Sequence, residues 1–150
     1  MVTWIGLWRR WKRKIPEFDE LKQEIEDLAR DMIRELASRE GVEPPKIAVT
    51  PAGNNYFPAF KAISISYYLI PMFHIDREKA KKILRYVTAH EFKHYRQDLE
   101  GKIPRVLWRR DPWIEVEAQE YAERVTGVSV MEAMRLESEL QEKMRKLGLL

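Results

Sequence analysis

The 150 residues predict an α+β fold: an N-terminal helix on a small, mostly antiparallel three-stranded sheet, followed by three further helices. Three observations carry this. Apolar residues recur at spacings of three and four over about 17–39, 77–98, 112–126 and 129–147, the period of amphipathic helices. Between the first two of these segments lie short β-branched runs with a two-residue alternation. Gly or Pro stands at most of the junctions.

Trp4, Trp8 and Trp11 fall at i, i+4 and i+7, so a helix would line them up. Pro16 suits the first turn of the next helix, whose stripe is Phe18, Leu21, Ile25, Leu28, Met32 and Leu36. Gly41 stops it and Pro44-Pro45 prevents resumption. Lys46–Thr50 reads as a strand, and the segment from Pro51 to Asn55 is turn chemistry. Residues 56–60 read as a second strand, placed at an edge by Pro58. Residues 62–69 read as a third, with Ile63 and Ile65 alternating with Ser64 and Ser66 and Pro71 ending it. Asp76 is a good N-cap for the helix over 77–98, and Gly101 and Pro104 break that helix. A loop over 99–112 leads to the helix from Pro112 to Thr126. Ser129 and Glu132 form a capping box for the last helix. Leu7–Arg10 and Leu107–Arg110 share the string Leu-Trp-Arg-Arg, which is too short to make a repeat.

Composition narrows the function classes. With 45% apolar and 34% charged residues, the chain has the make-up of a globular rather than a disordered protein. No apolar run approaches the roughly 20 residues that span a bilayer, and the N-terminus lacks the apolar stretch and cleavage site of a secretory signal. A cytoplasmic location is expected, with peripheral membrane association as a variant. There is no cysteine, so any transition metal must be held by His and carboxylate. Abundant Glu, Lys and Arg beside two Asn and four Gln resemble the composition of thermophile proteins.

The net charge of +3 is uneven, because residues 1–14 hold five basic side chains (Arg9, Arg10, Lys12, Arg13, Lys14) and no acid, leaving −2 on the rest. The chain therefore divides into a basic, Trp-rich arm (1–15) and a single domain (16–150). Three readings of the arm stand open: an interfacial helix on anionic lipid, a nucleic-acid contact through its phosphates, or tryptophans packed on the domain near Trp108 and Trp113. No obligate partner is implied.

The strongest chemical signal is His90-Glu91-Phe92-Lys93-His94. Two His at i and i+4 project from one helix face and can reach one ion with bonds near 2.0–2.1 Å. Glu91, one residue on, is angled past the metal toward its water, whose pKa zinc lowers to near 7. It can then act as general base and acid. With three His and 18 Glu, a chance match arises in roughly one of a couple of hundred such chains. The bland alternative is a pair of helix histidines with no metal. Catalytic zinc needs a third protein ligand. The remaining histidine, His74, lies upstream, so downstream carboxylates must supply it, and Glu115, Glu117 and Glu120 share one predicted helix.

Here the sequence resembles the gluzincin zinc metallopeptidases, in which a second helix carries a Glu-Ala pair whose Glu is the third ligand. Glu115-x-Glu117-Ala118-x-x-Tyr121-Ala122 is similar to the signature of the small gluzincins, including minigluzincins and ImmA/IrrE-type peptidases. The resemblance covers about residues 17–126 and agrees in element order. It implies Zn²⁺ on His90, His94 and Glu117, catalysis by Glu91, and peptide or protein substrates. It further implies a sheet edge along the cleft that holds extended substrate by strand addition, expected at residues 60–70. The sequence departs in having Gln119 where many relatives have Asn or Asp. Ligating histidines usually donate their other ring N–H to a carboxylate or carbonyl. Glu120, Asp98 and backbone carbonyls are the candidates for that acceptor, and Tyr121, Tyr95, Tyr86 and His74 for the oxyanion donor.

The expected function is zinc-dependent peptide hydrolysis, with latency if a terminal segment such as the helix from Ser129 to Leu147 fills the cleft. The alternative from another class is a non-catalytic zinc-bearing regulatory or interaction protein, attached to membrane or nucleic acid through the basic arm.

Overall fold

A computed structural model describes residues 3–103 and 111–150. The apolar stripes fold into helices close to their expected bounds: α1 (Trp4–Lys14), α2 (Phe18–Glu40), α4 (Arg77–Leu99), α5 (Pro112–Thr126) and α6 (Val130–Lys146), with a short α3 (Leu69–Ile75) between. The caps follow local chemistry. Asp76 accepts from the Lys79 amide at 3.2 Å, and Ser129 from the Glu132 amide at 3.0 Å. Pro112 occupies the first turn of α5 behind its N-cap Asp111. Gly41, with φ +66°, closes α2 in the left-handed conformation that favours glycine. Pro16 lies outside α2, just ahead of its N-cap residue Glu17. Pro104, Leu107–Arg110 and Trp108 lie outside the described residues.

The sheet comprises β1 (Lys46–Thr50), β2 (Asn55–Phe57) and β3 (Ala62–Ser66) in the order β1-β3-β2. β1 and β3 run parallel, with Ile47 beside Ile63 and Val49 beside Ile65, while β2 is antiparallel to β3. The sheet is thus mixed rather than mostly antiparallel. Residues 60–70 do not supply an edge: β3 is the central strand, and the chain then turns into α3. That turn was hidden in the apolar run Leu69-Ile-Pro-Met-Phe73, every residue of which is buried. Pro71 sits in the first helical turn, where its missing N–H costs no intrahelical bond. Of the true edges, β1 has the Val49 amide donating to Glu26 of α2 at 3.1 Å. β2 lies against α4, the Tyr56 hydroxyl donating to Asp98 at 2.5 Å.

α4 is the spine of the molecule. α2, α3, α5, α6 and the two strands β2 and β3 all pack on it, and Ile83, Leu84, Ala89 and Phe92 join the single hydrophobic core. That core extends into residues 1–15: Leu7, Trp11 and Ile15 are buried in it. Of the three tryptophans, Trp11 is buried, Trp8 is partly buried against the core and Trp4 is exposed. Trp4 meets the Tyr67 ring edge-on at 5.0 Å between centroids, and Trp11 meets Tyr68 at 5.2 Å. Arg9, Lys12, Arg13 and Lys14 stay on the exposed side. α6 packs on α3 and α4, tied by Lys79–Glu139 and Lys82–Glu132 ion pairs near the start of α4. Among the described residues, no helix is long and apolar enough to cross a membrane.

Candidate metal centre

Among the described residues, five polar or charged side chains are buried, and four of them, Thr88, Glu91, His94 and Gln97, lie on α4. Buried polar groups must find partners, and around His94 they find one another. His90 and His94, one turn apart, bring their Nε2 atoms to 3.1 Å. The carboxylate of Glu115 on α5 closes the triangle, one oxygen 3.0 Å from His94 Nε2 and the other 3.2 Å from His90 Nε2. Glu91 also offers a carboxylate oxygen within 4.8 Å of both imidazoles, so His90, Glu91 and His94 could hold a metal ion.

The chemistry of the donor set fits a cation. Gln97, three residues after His94, orients its imidazole. The Gln97 amide nitrogen donates to the Ile114 carbonyl at 3.0 Å and to Glu117 at 3.3 Å. Its oxygen is thereby turned to His94 Nδ1, 2.8 Å away. An amide oxygen can only accept, so Nδ1 carries the proton. In the neutral form, that tautomer turns the Nε2 lone pair of His94 toward His90 and Glu115. Three electron-rich atoms at such separations repel unless a proton or a metal ion lies among them. Zinc bonds of about 2.0–2.1 Å at tetrahedral angles set ligand atoms roughly 3.3 Å apart, close to the edges of this triangle.

The sequence-predicted residues divide accordingly. His90, Glu91 and His94 come together. Glu117 does not join them: its carboxylate faces Gln97, with Lys93 and Lys102 at 3.6 and 3.7 Å. The Gln97 hydrogen bond leads the interactions that hold it below the usual carboxylate range. Glu115, not Glu117, has its carboxylate against both imidazoles, and Glu117 is the outer end of a Glu117–Gln97–His94 chain. Glu120 is exposed. Asp98 is engaged by Tyr56 and Lys61.

The oxyanion candidates also separate. His74 is bound to Glu17 at the start of α2. Tyr95 donates to the Glu43 carbonyl at 2.6 Å. Tyr121 packs against Phe92, and burial, followed by Glu40, raises its phenol above the ordinary range. Tyr86 alone of the four has a buried hydroxyl without a hydrogen-bond partner among the described residues. Gln97 was missed in the sequence, although its i+3 spacing from His94 on one helix was a signal that could have found it. Comparison with protein-family models, curated proteins and solved structures gives no match.

Proposed function

We propose that the chain is a zinc-dependent metallopeptidase that hydrolyses peptide bonds in peptide or protein substrates. The observation that carries this is the triangle of His90 Nε2, His94 Nε2 and the Glu115 carboxylate, with edges of 3.0–3.2 Å and Glu91 beside it. His90, His94 and Glu115 would hold the ion, a nitrogen, nitrogen, oxygen set suited to catalytic zinc. Zinc so held supplies Lewis acidity and a water that ionises near neutral pH.

The chain's own residues supply the rest. Gln97 fixes His94 in the tautomer that ligates. Glu91, 7% exposed, is the base that takes a proton from the attacking water and the acid that returns it to the leaving amine. Glu115, whose two carboxylate oxygens contact the two imidazoles, is left to the metal, and Glu91 is left to move protons.

The decisive experiment compares wild type with Glu91→Gln for metal content and for cleavage of casein and a broad peptide library. Wild type should carry about one zinc per chain. Glu91→Gln should keep both fold and zinc, since the amide has nearly the shape of the carboxylate. Its cleavage rate should drop by roughly 10²–10⁴-fold, the usual worth of general acid–base assistance. Equal inertness of both proteins, each loaded with zinc, would turn the reading toward a non-catalytic metal protein. A wild type that binds no zinc would sink it.

A further inference from the structure

α1 has two sides with different fates. Leu7 and Trp11, with Ile15 just past its end, are buried in the core. That apolar stripe is spent on the domain, so it cannot also be laid into a second surface. The other side is open. Ile5, Arg9 and Arg13 stand at i, i+4 and i+8 and so form one row along the helix, and all three are exposed. Arg10, half-buried, flanks the row.

The rest of the protein does not neutralise this side. α1 holds five basic residues and no acid in 11 residues. Lys12 lies 3.6 Å from Asp19, and Lys14 reaches the Gly148 carbonyl at 3.4 Å. Arg9, Arg10 and Arg13 have no acidic partner among the described residues. Three guanidinium groups held within little more than one turn of a packed helix suit phosphate, which arginine grips through two parallel N–H bonds. Ile5 then chooses among phosphate-bearing partners. It is 62% exposed at the head of the arginine row, with Trp4 beside it at 38%. A nucleic-acid backbone attracts the charges and gives an aliphatic side chain nothing. A lipid surface sets acyl chains directly beneath its phosphates and rewards both. Residues outside 1–14 carry a net charge of −2, so an anionic surface draws α1 in, repels the remainder and thereby orients the molecule.

We propose that the outward side of α1 is a docking surface for an anionic lipid bilayer, with Arg9, Arg10 and Arg13 on headgroup phosphates and Ile5 entering the interface. The buried stripe stays in the core throughout, so the helix docks as part of the folded domain and does not peel away from it. The contact is weak and reversible, each basic residue near such a surface strengthening binding about fivefold. It does not depend on the zinc reading, and neither does its test.

The full chain is mixed with sedimentable vesicles of phosphatidylcholine alone or of phosphatidylcholine with phosphatidylglycerol, and the bound fraction is measured against lipid concentration. Binding should require phosphatidylglycerol. It should be lost on raising the salt from about 0.1 M to about 1 M, where the screening length falls from about 10 Å to about 3 Å. The triple variant R9Q/R10Q/R13Q should bind about a hundredfold more weakly, three times the single-residue effect on a logarithmic scale. The matched variant R34Q/R39Q/R135Q removes the same charge from exposed positions on α2 and α6 and should bind like wild type. Ile5→Ser should cost about tenfold, as expected for an aliphatic side chain withdrawn from an apolar phase. Equal binding to both kinds of vesicle, or to neither, overturns the proposal. So does an equal loss in the two triple variants, which would make net charge and not α1 the cause. Salt-sensitive binding of a single-stranded oligonucleotide by a protein that ignores the vesicles overturns it in favour of a nucleic-acid surface.

Discussion

At the residue scale the central question is which glutamate serves the histidines. Glu115 and Glu117 are separated by two helical steps, about 200° around the α5 axis, so they meet α4 at different side chains, Glu115 at His90 and His94 and Glu117 at Lys93 and Gln97. The structure places the Glu115 carboxylate on the two imidazoles and that of Glu117 on Gln97. Glu115→Ala should therefore abolish stoichiometric zinc binding, measured by metal analysis after chelator competition. Glu117→Ala should weaken binding less, because it loosens Gln97 without removing a ligand. Gln97→Leu, which removes the acceptor of the His94 proton, should cost about ten- to hundredfold in affinity. A Glu117→Ala variant stripped of metal beside a zinc-loaded Glu115→Ala would reverse the assignment. The His90–His94 part of this site was legible because i and i+4 positions share a helix face whatever the helix packs against. The third carboxylate was not, because the rotation of α5 about its own axis is set by how Ile114, Ala118, Tyr121 and Ala122 are buried. Both Glu115 and Glu117 are compatible with the sequence pattern, and only packing chooses.

At the scale of elements, stop and start signals were read more reliably than neighbours. Asp76, Ser129 and Gly41 mark helix ends through bonds made within a few residues, and Pro112 through its fixed φ in the first turn, so the local sequence contains these signals. Strand order has no such local record. In sequence β1 and β3 carry a similar spacing, Ile47 and Val49 in one and Ile63 and Ile65 in the other, and nothing in either says that β3 lies between the others, which the structure marks by burying Ser64 as well. The connection over Pro51–Asn54 carries the chain past the place β3 later fills. The apolar run at 69–73 was ambiguous for a related reason, since a short continuous apolar stretch has no period to distinguish strand from helix. The cap at Asp76 has a consequence for the site, because α4 is the element that carries His90, Glu91, His94 and Gln97. Asp76→Ala should destabilise the fold by about 1 kcal/mol, the common worth of an N-cap side chain, read from a urea unfolding midpoint at unchanged slope. Zinc affinity should hardly change, because the histidines lie more than three turns further along and are fixed by Gln97 and α5. A large loss of affinity in the folded Asp76→Ala protein would mean that the start of α4 positions the ligands.

At the scale of the whole molecule, the basic charge of residues 1–14 made that segment look like an arm, while its tryptophans make it part of the body. Helical spacing brings Leu7, Trp11 and Ile15 to one side, and all three are buried. The basic residues follow from the same periodicity, since positions off that stripe must face solvent. The segment is fastened at a site far away in sequence: Trp11 Nε1 donates to the Leu149 carbonyl at 2.7 Å in a buried hydrogen bond, and Lys14 reaches the Gly148 carbonyl at 3.4 Å. The indole is 2% exposed, so its N–H has no water to turn to if the partner is lost. Two substitutions separate packing from the hydrogen bond. Trp11→Ala removes a large buried ring and should cost about 3–5 kcal/mol. Trp11→Phe keeps much of the apolar volume but leaves the Leu149 carbonyl without its donor, and should cost less, about 1–3 kcal/mol from the unmet acceptor plus the smaller ring's cavity. The centre at His90 is built on α4 and α5, neither of which includes this contact, so both variants should keep zinc affinity as long as they remain folded. Urea unfolding gives the first two numbers, and chelator competition in the absence of urea gives the third. If Trp11→Ala unfolds with the wild-type midpoint, α1 is a detachable arm after all, and its packing on the core contributes nothing to the stability of the molecule.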